Sequence, residues 1–183
     1  MSIFGGKNKL SFVAMERLIE ETSKSNLDTV INLLSEMNIP FEQAEAKIII
    51  IALNYELCRY ELYKSNDKID VNDLLEELYS QIFYGFNFES NEENKYQTTI
   101  DQIIQKMKEI FNVKKLMAPA EKFVYRLLLE QLSIKENTIE KGFISDLLFY
   151  ATTWVNNAKG INNSYKIDID EDDPKNEKID FRF

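Results

Sequence analysis

The stretch Pro40–Tyr63, PFEQAEAKIIIIALNYELCRYELY, decides the fold. Its four consecutive isoleucines, Ile48 to Ile51, have the β-branched composition of a buried strand. The periodic segment around them is too long for one, since strands run about 4–8 residues. Phe41, Ala44, Ile48, Ile51, Tyr55 and Cys58 recur at helical spacing, and Ile49, Leu53, Leu57 and Tyr60 occupy neighbouring faces. A helix that is apolar over most of its circumference is buried on most sides. The segment is therefore predicted to be the central helix of an all-α fold, opened by Pro40. Asn54, Glu56 and Arg59 sit among its apolar residues. Glu56 and Arg59 can pair at i, i+3, and if buried they serve as a specificity device or a polar partner site. Cys58, the single cysteine, reads as a buried thiol and forms no internal disulfide.

Helical spacing continues on both sides. The apolar pattern predicts helices over Leu10–Ser23, Leu27–Met37, Val71–Tyr84 with an end near Gly85, Thr98–Leu116, Pro119–Leu132, and from Lys135 or Thr138 to Ala158. Ser65–Lys68 reads as a turn, Asn87–Lys95 as an exposed loop, and Gly160 as the stop of the last helix. The expectation is one globular bundle of about seven helices over residues 1–160, followed by an acidic, extended or disordered tail over 161–183 with room for one short strand.

There is no histidine in the 183 residues. That removes Ser-His-Asp and Cys-His nucleophile arrangements and histidine zinc sites. Carboxylate, lysine, tyrosine and magnesium-type chemistry remain. The net charge of −9 disfavours binding of nucleic acid or anionic membrane by the surface at large. The longest apolar run, Ile48–Leu53, is far short of the about 20 residues that span a bilayer. The first residues lack a secretory pattern. The expected location is the cytoplasm, with no membrane partner, and the Ile, Asn, Lys and Glu content suggests a bacterial or phage source.

The segment Leu128–Phe143, LLEQLSIKENTIEKGF, resembles the helix-turn-helix element of bacterial DNA-binding proteins. Leu132, Ser133, Ile134, Asn137, Thr138 and Ile139 fall at the corresponding positions. Leu128, Leu132, Ile134, Ile139 and Phe143 would lock two helices at a fixed angle. The resemblance implies base contacts from Lys135, Asn137, Thr138 and Lys141. Phosphate contacts would come from Lys114, Lys115, Lys122 and Arg126 in the basic stretch upstream. It departs from the family at Ser133, where glycine is usual, and at Glu136 and Glu140, which repel phosphate. The segment Leu34–Ile48 has a similar layout, with Asn38–Ile39 answering to Ser133–Ile134, and reads as a recurring helical corner.

Asp146–Tyr150 resembles part of the second metal motif of the all-α nucleoside triphosphate pyrophosphohydrolases. That family needs a glutamate three residues before the aspartate, and Phe143 stands there. Glu42 with Glu45, and Asp70 or Asp73 with Glu76 and Glu77, put acids on shared faces, where they read as solvated or first-turn charges. Asp168, Asp170 and Asp172 alternate as in a calcium loop, but the glycine is missing and Ile179 occupies the closing position. Tyr55, Tyr60, Tyr63, Tyr79, Phe83 and Tyr84 read first as core filling, and otherwise as a pocket or interface.

These observations together predict a non-enzymatic regulatory or interaction protein without a cofactor. A phage or mobile-element accessory, an immunity protein or an inhibitor would fit. Its partner would present a basic surface, met by a helical face or by the tail residues Asp170, Glu171, Asp172, Asp173, Phe181 and Phe183. The chain is compatible with a homo-oligomer. A helix-turn-helix regulator is the alternative, and a magnesium-dependent nucleotide hydrolase the distant one.

Overall fold

The computed structural model describes residues 8–65, 90–111 and 119–167. A short strand β1 (Asn8–Leu10) leads into α1 (Phe12–Lys24), α2 (Leu27–Glu36) and α3 (Gln43–Ser65). After the gap come α4 (Ser90–Phe111), α5 (Ala120–Gln131), a single 3₁₀ turn (Glu136–Thr138), α6 (Lys141–Ser164) and β2 (Tyr165–Ile167). The protein is mostly α-helical, as the periodicity predicts. The helix expected over 71–84 lies outside the described residues.

The central position of α3 follows from its sequence. All residues from Ile48 to Arg59 are buried, and α1, α2, α4, α5 and α6 each pack on this helix, α6 most extensively. Each fully buried Ile or Leu contributes about 1.5–3 kcal/mol of transfer free energy. An element buried all round thus carries much of the core. The polar residues on it are satisfied locally. The Asn54 amide donates to the Ile50 carbonyl at 2.8 Å. The Arg59 guanidinium donates to both oxygens of Glu56, Nε at 2.7 Å and a terminal nitrogen at 2.6 Å. This bidentate pair spans one helical turn, and its side chains are only 8% and 1% exposed.

Four boundaries differ from the sequence reading. α3 begins at Gln43 rather than Pro40, because Asn38 takes φ 52° and leaves Ile39–Glu42 outside the helix. The carbonyl of Glu42 accepts the first intrahelical bond, from the Ala46 amide at 3.0 Å. The expected loop at 87–95 is replaced from Ser90 onward by α4. Tyr96 is buried and extends the stripe Ile100, Ile103, Ile104, Met107 by one turn toward the N-terminus. Residues 135–140 do not begin the last helix, which starts at Lys141. Gly160 does not stop that helix either. The buried series Trp154, Ala158, Ile161 continues past it, so the helix persists to Ser164 despite a cost of about 1 kcal/mol for an interior glycine.

After α6 the chain forms the one short strand for which the sequence left room. Tyr165, Lys166 and Ile167 pair in parallel with Asn8, Lys9 and Leu10. The tail residues Asp170, Glu171, Asp172, Asp173, Phe181 and Phe183 lie outside the described residues. Among the described residues no helix is long and apolar enough to cross a membrane.

Candidate interaction surface

The corner between α5 and α6 has a defined construction. Ser133 adopts φ 56°. Its amide donates to the Glu130 carbonyl at 3.0 Å, and the Ile134 amide reaches back to the Leu129 carbonyl at 2.8 Å. These are the two bonds of a Schellman stop, with serine where glycine is usual. Leu132, Ile134 and Ile139 are buried and Phe143 is half-buried, all in the core cluster with Leu128. The locking set read from the sequence is therefore assembled. Part of this geometry recurs at the end of α2, where Asn38 has φ 52° and its amide makes the first of the two bonds, to the Ser35 carbonyl at 3.3 Å.

The exposed side of this corner carries the residues proposed for DNA contact. Lys122 and Arg126 are exposed one turn apart on α5, and Lys135, Asn137, Thr138 and Lys141 are exposed around the 3₁₀ turn. The corner does not gather them onto one helix. Thr138 turns inward on its own loop, its hydroxyl donating to the Lys135 carbonyl at 2.7 Å. Glu130 continues the Lys122–Arg126 stripe and binds Lys106 of α4. Glu136 and Glu140 are exposed among the lysines. Glu136 also lies beside the Tyr125 phenol, whose pKa is pushed up to about 12 by burial and then by that carboxylate. Lys114 and Lys115 lie outside the described residues.

The acids considered for metal chemistry are used otherwise or stand apart. Glu42 accepts from the Tyr96 hydroxyl at 2.7 Å and from the Lys95 ammonium at 3.0 Å. These bonds hold its carboxyl below the ordinary value. Glu45 approaches the same ammonium at 3.6 Å. Together they fasten the start of α3 to α4. Asp146 is exposed, and the position needing a second carboxylate holds half-buried Phe143. Asp70, Asp73, Glu76 and Glu77 lie outside the described residues, as does the carboxylate series from Asp168. Among the described residues no group of three His, Cys, Asp or Glu side chains can hold a metal ion. Tyr55 fills the core and Tyr60 is half-buried. Tyr79, Phe83 and Tyr84 are not among the described residues. Cys58 is fully buried, and burial pushes its thiol up to about 12, so the buried reading holds.

One feature escaped the sequence reading. Among the described residues Phe149 is the large hydrophobic side chain left exposed, at 65%. Leu147, Ala151, Trp154, Val155, Ala158 and Ile161 fix the inward face of α6, and at 100° per residue Phe149 points the opposite way. Its ring meets that of half-buried Tyr150 edge to face, with centroids 5.5 Å apart. The hydroxyls around it are turned back onto the helix. Ser145 donates to the Lys141 carbonyl, Thr152 to Leu148 and Thr153 to Phe149, at 3.2, 2.8 and 3.0 Å. With their donors already occupied, these residues cost less to desolvate than free hydroxyls. The helical phase of 147–161 is the signal that would have found this face.

No protein-family model, curated protein or solved structure matches the chain.

Proposed function

We propose that the protein is a non-enzymatic interaction protein that docks another protein on the outer face of α6. The observation that carries this reading is exposed Phe149, set edge to face on half-buried Tyr150, on a face whose hydroxyls are internally bonded. A phenyl group held on a rigid helix is an anchor that a complementary apolar pocket can enclose, and such anchors dominate binding free energies. Exposed Asp146 lies one turn before it on the same side of the helix, and the whole chain carries −9. The fitting partner therefore has an apolar pocket with a basic rim. The acidic tail adds a second contact of the same sign, and the phage-accessory, immunity or inhibitor role in the cytoplasm belongs to this proposal.

The test is affinity capture from native cells with the wild type and with Phe149→Asp. A stoichiometric partner retained by the wild type should bind the variant at least about 30-fold more weakly, with the fold unchanged by circular dichroism. Equal capture by the two proteins would remove the α6 face from the proposal. Loss of binding on deleting Asp170–Phe183 alone would move it to the tail.

The helix-turn-helix alternative keeps one observation in its favour. Lys122, Arg126, Lys135, Asn137, Thr138 and Lys141 are all exposed near a rigid corner. It requires duplex binding that weakens steeply with salt and with Lys135→Glu/Lys141→Glu. Salt-insensitive or absent binding dismisses it.

A further inference from the structure

We infer that the β1–β2 ribbon is a releasable strap: residues 8–10 hold residues 165–167 in place, and unpairing frees that end of the chain without opening the bundle. The ribbon is two strands of three residues in parallel register, Asn8 with Tyr165, Lys9 with Lys166 and Leu10 with Ile167. Parallel strands are normally found in larger sheets covered on both faces, and an isolated pair of strands is marginal in water. Among the described residues the sheet has no third strand.

The backbone of the ribbon lies mainly against its chain neighbours. Its more extensive contacts outside itself are with the helices that adjoin it in the chain, β1 with α1 and β2 with α6. The buried core is centred on α3. Half-buried Tyr165 packs at its margin. Segments of low local contact density open independently of the global transition. Tyr165 also walls a shallow groove with Leu18 and Thr22 of α1 and Asn156 and Ile161 of α6, so release changes the surface there.

The test is amide hydrogen exchange on the full chain and two proline variants. Alternate amides of a strand point to opposite edges, so Lys9→Pro and Asn8→Pro/Leu10→Pro between them remove every donor β1 can offer β2. The Tyr165 amide donates to the Ile161 carbonyl of α6, so the reporters are the amides of Lys166 and Ile167: in the wild type at least one of them should be protected, but at least about 100-fold less than those of α3. In at least one variant exchange at the protected position should rise about tenfold or more, with α3 and α6 protection unchanged. Lys166 and Ile167 both unprotected in the wild type would overturn the strap. So would protection unchanged in both variants, and so would a parallel loss in α3, which would make the ribbon integral to the bundle.

Discussion

α3 and α6 are nearly equal in length, 23 and 24 residues, and pack on each other more extensively than any other pair, yet they do opposite work. α3 is enclosed along Ile48–Arg59, and there even the charges of Glu56 and Arg59 are paired inside the protein. α6 gives one face to α3 and leaves the other outside, with Phe149 in the middle of it. The difference lies in the sequences. From Ile48 to Leu62 every turn of α3 offers apolar residues to all sides. In α6 the apolar residues from Leu147 to Ile161 keep one phase, and Ser145, Thr153 and Asn156 fill the other. Stability is concentrated in one helix and freedom to interact in the other.

The largest effect should come from breaking the enclosed helix. Arg59→Ala strands the Glu56 carboxylate in the core and should destabilise by about 3–5 kcal/mol in denaturant titration. Replacing both partners together, Glu56→Leu/Arg59→Met, should recover most of that loss. A double variant as unstable as the single one would mean that the pair is held for more than its mutual compensation.

The two corners provide a smaller contrast. Ser133 and Asn38 both stand at positive φ, where serine is more strained than asparagine. Ser133→Gly should stabilise by about 0.5–1 kcal/mol, and Asn38→Gly by less. Equal gains would show that side-chain identity does not set the cost of these turns.

The α3–α4 clasp titrates. Glu42 is held below its ordinary 4.5, first by the Tyr96 hydroxyl and then by Lys95. A lowered carboxyl contributes stability that is complete above its unfolded value and is lost as pH falls through the folded one. Lys95 is raised above 10.5, chiefly by Glu42, so its share is complete below that value and is lost as pH rises through the folded one. Both groups are about half exposed, so the effect is modest. The acid limb of the melting-temperature profile should be shallower in Tyr96→Phe than in the wild type, and identical limbs would remove the clasp. The smallest change should be at the open helix. Phe149→Ala should alter stability by no more than about 0.5 kcal/mol, and a larger loss in thermal unfolding would mean the ring is part of the core.

The helical class and the central role of Pro40–Tyr63 were readable because an all-round apolar pattern has one meaning at that length. The corner at Ser133 was readable from its flanking Leu and Ile residues, but its internal geometry was not. Whether Lys135–Glu140 is helical depends on the backbone stop at Ser133, which periodicity does not register. Gly160 does not end α6 because a glycine marks a stop only when the apolar series ends with it, and Ile161 prolongs the series. α4 begins earlier than its pattern suggests because its first turns are polar and Tyr96 alone marks the inward face. Phe149 carries no signal of its own in the sequence, and its exposure follows only from the phase of its neighbours.

The measurement that tests the enclosed-helix account most directly is the labelling rate of Cys58 by a thiol reagent, with and without denaturant. Cys58 is 1% exposed on α3, and its pKa is pushed up to about 12. The thiol should resist labelling in the native protein and become reactive only along the global unfolding transition. Rapid labelling of a protein that is still fully helical would place α3 at the surface and contradict the architecture.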